Sequence, residues 1–319
     1  MKSSIIHFLS FFLVIFIYTC DEVPEHNNQT VANVDAGQLL ADIEFLSSDE
    51  LQGRFPESEG NVMAQNFIIE RFQTLNLSSF HDEYRHPFES VNSRTGQRFE
   101  NALNLIGYTL GRSNPDRFIA ITAHYDHLGV VDGEIYNGAD DNASGTGALL
   151  AAARYFSENQ PENSMLFIAL DAEEQGLLGA YEFVNNPPVS LQQIILNVNM
   201  DMISINFENE LYAVGTYHYP FLKPLIETAA TGAPVNVLFG YDSADWPQDW
   251  TMSSDHGPFH EKGVPFIYFG VEDHEHYHQP TDTFENINPE FYINAVETII
   301  GILKYLDLHL EDIAVSSDR

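Results

Sequence analysis

Apolar and polar positions alternate along this chain with several distinct rhythms. From Gln38 onward, Leu39, Leu40, Ile43 and Leu46 recur at the spacing of one helical face. Met63, Phe67, Ile68 and Phe72 do the same within Glu59–Leu77. Tyr84–Val91 and Arg98–Tyr108 predict the two strands of a hairpin. A regular α/β rhythm follows. Phe118–Ala123 predicts a buried strand, Ser144–Ser157 a helix opened by small residues, Met165–Leu170 a strand and Gly179–Val184 a helix. Ile194–Met200 and Leu211–Val214 predict strands, Pro220–Ala230 a helix, Val235–Phe239 an extended segment and Val264–Phe269 a strand. Pro289–Leu308 predicts a long closing helix with proline at its start. Strands alternating with helices imply an α/β fold whose central sheet is mostly parallel and flanked by helices on both faces; the early hairpin makes that sheet mixed. No internal repeat and no Pro/Gly linker divides Gln38–Leu308. One domain over 38–312, with 313–319 as a tail, is the simplest division.

The first twenty residues follow a different pattern. Lys2 is their only charged side chain, and the apolar run Phe8–Tyr18 is broken only by Ser10. A membrane-spanning helix needs about 20 apolar residues, so this shorter run behind a basic start predicts a secretory signal. Cys20, the only cysteine, closes the run. Ile17-Tyr18-Thr19-Cys20 resembles a bacterial lipobox, in which the cysteine is lipidated and becomes the mature N-terminus. The expected mature protein is then an exported cell-envelope lipoprotein, held to a bacterial membrane through Cys20 at the periplasmic or outer-membrane face, with 21–37 as a polar tether. A single cysteine excludes an intramolecular disulfide and argues against thiolate metal ligation. Lys and Arg number 13 against 47 Asp and Glu, a formal charge of −34. Such a surface repels nucleic acid and anionic headgroups. Hydrophobic residues make up 44% of the chain, which is enough for a sizeable core.

Candidate chemistry gathers where strands are predicted to end, the usual place for functional residues in such sheets. His124-Tyr125-Asp126 follows the strand ending at Ala123; Asp126 is near enough in sequence to hold the second ring nitrogen of a metal-binding His124. Gly138–Gly145 carries Asp140 and Asp141 side by side. Two adjacent carboxylates repel unless a cation lies beside them, whereas helix capping explains only one. Glu173 and Glu174 follow the strand ending at Leu170, and Asp201 closes an apolar strand between Met200 and Met202. In Asp273–Thr283, His274, His276 and His278 alternate, a pattern that a surface tract also produces. Each cluster has a bland reading. Together they give nitrogen and oxygen donors at successive strand ends, a set that suits zinc.

The same residues carry a resemblance to the M28 family of zinc peptidases. The matching motifs are A-H-Y-D-H-L-G (Ala123–Gly129), G-A-D-D-N-A-S-G (Gly138–Gly145), D-A-E-E-x-G (Asp171–Gly176), N-x-D-M (Asn199–Met202) and Y-H-x-P-x-D-T (Tyr277–Thr283). The stretch Leu46–Arg54 is similar to the family's beginning. The resemblance implies two zinc ions per chain bridged by Asp141. His124 and Asp201 would complete one site, and Glu174 and His278 the other. It implies Glu173 as general base, Asp126 behind His124, Tyr277 as a phenol donating to the oxyanion, and a cis peptide bond after Asp141. Asp255, in Ser254–Phe259, resembles another recurrent segment, and a structural helix start is the simpler reading of it. The implied activity is that of a di-zinc aminopeptidase acting on peptides with a free N-terminus. Two other readings remain open at this point: a single-zinc glutaminyl cyclase, and a non-catalytic binding module of the same fold.

Overall fold

The computed structural model describes residues 34–317. The expected signal segment, Cys20 and the tether up to residue 33 lie outside them. Asp35 caps α1 (Ala36–Leu46) by accepting the Gln38 amide at 3.1 Å, so the helix starts inside the stretch expected as tether. Ser58 caps α2 (Glu59–Thr74) in the same way through the Asn61 amide. This helix stops three residues before Leu77 because Asn76 turns left-handed, at φ +53°. The Asn76 and Leu77 amides then return to the carbonyls of Gln73 and Phe72, a Schellman closure with asparagine in place of glycine.

The strands β1 (Ser78–Ser79), β2 (Arg85–Val91), β3 (Arg98–Thr109) and β4 (Asn114–His124) follow, with β2 and β3 forming the predicted antiparallel pair. A small hairpin, β5 (Gly129–Val131) and β6 (Glu134–Tyr136), turns through Asp132-Gly133 and was not predicted. Then come α3 (Gly145–Glu158), β7 (Asn163–Leu170), α4 (Leu178–Asn185), β8 (Ile194–Met200) and β9 (Glu210–Val214). The chain closes with α5 (Leu222–Ala229), β10 (Asn236–Leu238), α6 (His256–Glu261), β11 (Phe266–Gly270), α7 (Pro289–Leu308) and α8 (Leu310–Ser317). Asn288 caps α7 immediately before Pro289. The stretch 313–317, expected as a tail, is helical, pinned by buried Leu310 and Ile313.

The main sheet runs β1-β3-β7-β4-β8-β11-β9-β10, with β2 also pairing β3. Its centre, β7-β4-β8-β11, is parallel, while β3 joins β7 and β9 joins β11 antiparallel. This is the mixed sheet expected from the sequence. Side chains alternate between its two faces. Ile121, Phe167 and Val198 meet α1, α2, α3 and α7 through Ile43, Phe72, Leu149 and Ile299. Ala120, Leu166 and Ile168 meet α4 and α6 through Phe183 and Phe259. Burial on both faces explains why β7 reads as an uninterrupted apolar run from Met165 to Leu170; all eight of its residues are buried. The parallel centre also points the carboxyl ends of β4, β7, β8 and β11 to one edge, where the polar clusters lie.

Candidate metal centre

Each of the five candidate ligands leaves a strand end or an adjoining turn and reaches the same small volume. His124 is the last residue of β4, and its Nε2 lies 3.3 Å from Asp141 Oδ1 and 3.4 Å from Asp201 Oδ1. Asp201 directly follows β8. On the other side, His278 Nε2 lies 3.0 Å from Asp141 Oδ2 and 3.4 Å from Glu174 Oε2. The two oxygens of Asp141 therefore face two different half-sites. Ligands held about 2.0–2.1 Å from one tetrahedral zinc are about 3.3–3.4 Å apart, close to these separations.

A physical test of metal binding is what the buried polar atoms do in the protein alone. His124 Nε2, Asp201 Oδ1, Glu174 Oε1 and His127 Nδ1 are buried and have no hydrogen-bond partner among the described residues. Buried polar groups are normally paired, so four orphans aimed at one volume fit a cation-binding site. With nitrogen and oxygen donors and no sulfur, the set fits zinc. Two triads bring their donor atoms within 4.8 Å of one another: His124 with Asp141 and Asp201, and His127 with Asp141 and Glu174. His127 was not among the residues singled out from the sequence.

The surroundings fix these side chains. Asp282 accepts the amides of Asp140 and Asp141 at 2.8 and 3.1 Å, and the bond between Asp141 and Asn142 is cis. Asp140 does not share a cation with Asp141, as adjacency suggested. Its carboxylate turns away to Ser204 and to His274 Nε2, 2.8 Å distant. Of the alternating histidines, His274 thus ties down the segment that carries Tyr277 and His278. Ser254 Oγ donates to Asp201 Oδ2 at 2.6 Å and accepts from Asn199. Asp126 sits behind His124, but its backbone carbonyl is nearer the ring Nδ1, at 3.2 Å, than its carboxylate, at 3.6 Å. That carboxylate accepts the Glu173 amide at 3.0 Å, so it positions the base candidate directly. Asp255 stands at the start of α6 yet caps nothing. Both its oxygens are buried without hydrogen-bond partners among the described residues, and burial pushes its carboxyl up to about 8.

Glu173 and Tyr277 line a cleft of about 310 Å³ together with Asp141, Glu174, Asp201 and His278. Burial lifts the Glu173 carboxyl well above its usual range, against the pull of His124 and with a further push from Glu174. Burial would raise Asp141 too, but His127, His124 and His278 outweigh it and hold this carboxylate well below its usual range. Burial and nearby acids also raise the Tyr277 phenol, which keeps it a proton donor.

The model of peptidase family M28 matches residues 104–303. The chain belongs to peptidase family M28. Its M28 relatives include the aminopeptidase YwaD of Bacillus subtilis, 34% identical over 272 residues, which cover 81% of this chain and 55% of that protein. The chain spans about half the length, or less, of such curated relatives. Among solved structures, the zinc aminopeptidase BSAP of Bacillus subtilis superposes with a TM-score of 0.68 at 19% identity, covering 85% of this chain and 95% of that one. A glutaminyl cyclase of Bacteroides thetaiotaomicron gives the same TM-score at 18% identity, over 86% and 99%. Both likenesses establish the zinc-exopeptidase type of fold for this M28 chain and do not discriminate between the two activities.

Arg54 is a further residue this M28 sequence did not flag beyond its motif. It is fully buried beneath the site and donates to the carbonyls of Leu46, Tyr125, Asn137 and Gly138. It therefore locks the loop after His124 to the loop before Asp141.

Proposed function

We propose that this chain is a di-zinc aminopeptidase that removes N-terminal residues from peptides. The observation that carries the reading is the placement of Asp141, whose two oxygens lie 3.3 and 3.0 Å from imidazole nitrogens of opposite half-sites. His124, Asp141 and Asp201 would hold one ion, and Asp141, Glu174 and His278 the other. Bound there, zinc supplies Lewis-acid polarisation of the scissile carbonyl and an attacking water that is acidic near neutral pH.

The remaining chemistry falls to the chain's own groups. Glu173 takes the proton of the attacking water and delivers it to the departing amine nitrogen. The Tyr277 hydroxyl donates to the carbonyl oxygen as charge develops on it. The substrate's α-ammonium meets a cleft whose wall includes Asp201, Asp249 and Asp273, which favours a free N-terminus over an internal peptide bond. We further propose export and membrane attachment through lipidated Cys20; Cys20→Ala, followed by intact-mass analysis and membrane fractionation, tests this. The predicted outcome is loss of the lipid and of membrane association, whereas an unmodified mature N-terminus at another residue contradicts it.

The test of activity is a panel of aminoacyl p-nitroanilides, the same compounds N-acetylated, and peptides with N-terminal glutamine, with and without chelator. Hydrolysis confined to free-amine substrates and abolished by chelation is expected. Cyclisation of glutamine without hydrolysis would assign the cyclase reaction instead, and neither activity in zinc-replete protein would leave a binding module.

A further inference from the structure

His127 stands apart from the five ligands named so far. It comes three residues after His124, where the chain leaves β4 and folds back beneath the site, and its side chain is wholly buried. The ring packs against Gly138. A Cβ at that position would lie 2.5 Å from the imidazole Cγ, and Gly138 holds φ at +60°, so both the space and the backbone there are given over to the ring. Its Nδ1 lies 2.7 Å from Glu174 Oε1 and 3.9 Å from Asp141 Oδ2. Such a short N–O separation would ordinarily be a hydrogen bond. Here neither ring nitrogen nor Glu174 Oε1 makes a hydrogen bond of acceptable geometry among the described residues, although all three are buried. With Asp141, His127 and Glu174 form a group whose donor atoms all lie within 4.8 Å of one another, close enough to converge on one cation.

From these observations we propose that His127 is a third histidine of the metal centre and ligates through Nδ1 in the half-site of Glu174 and His278. The inference rests on the two-zinc reading and adds a consequence to it. His278 approaches from the solvent side, with 38% of its side chain exposed, while His127 approaches from within. Their ring centroids are 6.0 Å apart and their planes are inclined at 58°. This half-site then has four protein ligands, Asp141, Glu174, His127 and His278. The other has three, His124, Asp141 and Asp201. Structural zinc sites are closed by four protein ligands, and catalytic sites keep a position open. The open position falls at the His124 half-site, beside Glu173, and the His127 half-site holds its ion more firmly.

The test is X-ray absorption of the fully zinc-loaded protein, read together with its zinc content. Two zincs per chain with about 1.5 imidazoles per zinc, three rings over two ions, is the expected result. Two zincs with about 1.0 imidazole each overturns the role of His127 and leaves the two-zinc reading intact. One zinc per chain overturns both. Independently, in His127→Asn one zinc should pass to a competing chelator more than about 100-fold more readily, beyond the about 10–100-fold that losing a partner behind a ligand costs, with the affinity of the other unchanged. Unchanged affinity at both sites contradicts the proposal. The wild-type absorption measurement decides the matter even if the variant does not fold.

Discussion

Replacing Arg54 with methionine tests whether the metal centre is built on a buried cation. The side chain is 1% exposed, and burial lowers its pKa to about 10, with Asp126, Asp282 and Asp141 pulling the other way, so it remains charged at neutral pH. Its guanidinium donates to Tyr125 O at 2.8 Å, Asn137 O at 2.6 Å, Gly138 O at 3.0 Å and Leu46 O. Methionine keeps the volume and leaves the buried carbonyls of Leu46, Tyr125 and Asn137 without their donor, at about 1–3 kcal/mol each, while Gly138 O keeps the Ala143 amide at 3.1 Å. Relief of the guanidinium's own desolvation offsets several kcal/mol of that. The net expected loss is about 3–5 kcal/mol, the range for removing one member of a buried charged cluster. At about 2–4 °C per kcal/mol for a domain of this size, Tm of the zinc-free protein should fall by on the order of 10 °C. Arg54→Lys keeps the charge but cannot span all four carbonyls, and should fall between the two. Scanning calorimetry in chelator reads the result. A Tm within about 2 °C of wild type in Arg54→Met would refute the claim that this residue ties the two ligand loops together.

Other consequences are open to direct measurement. Glu173→Gln preserves the amide contact to Asp126 and should retain zinc while kcat falls by about 10²–10⁴-fold, a loss of about 2.7–5.5 kcal/mol in transition-state stabilisation; near-normal turnover in zinc-replete protein removes Glu173 as the base. Gly138→Ala sets a Cβ 2.2 Å from the Asp141 carbonyl oxygen on a backbone at φ +60°, and should cost about 2–5 kcal/mol by denaturant melts together with zinc affinity; a silent substitution contradicts the packing described. In metal-free protein, burial opposes a charged His278, but Asp141 and Glu174 raise its pKa to about 10. A raised histidine stabilises the fold below its ordinary pKa of 6.5 and loses that contribution as pH climbs through about 10, whereas zinc requires the neutral ring. The Tm gap between zinc-loaded and chelated protein should therefore widen from about pH 6 to about pH 9, and a constant gap contradicts this.

The sequence exposes those parts of the molecule that depend on local pattern. Strand β8 and helix α7 coincide with their apolar runs, because burial on two faces and a proline at N1 leave clear local marks. His124, Glu174 and Asp201 are legible because each sits at or just past the end of such a run, whereas Asp141 and His278 are legible only through the motifs Gly138–Gly145 and Tyr277–Thr283. What needs distant partners is not legible. Asp140 beside Asp141 suggested two acids around one cation, and only the fold brings His274, 134 positions later, to Asp140. His127 looks like a loop residue until Gly138 and Glu174 close over it. Asp126 has an acceptor's chemistry at the right spacing, yet its oxygen was as free to meet the Glu173 amide as the His124 ring. The β5–β6 hairpin is a different case: Asp132-Gly133 between Val131 and Glu134 is a strong local turn signal, flanked by strands of only three residues. The order of strands in the sheet, with β4 between β7 and β8, has no local signature at all.

The central claim is that one carboxylate serves two metal sites. Anomalous scattering at the zinc edge from crystals grown with excess zinc measures this directly. Two peaks about 3.5–4 Å apart, one on each side of the Asp141 carboxylate, are predicted. A single peak at full occupancy, with one Asp141 oxygen left unliganded, would contradict the account.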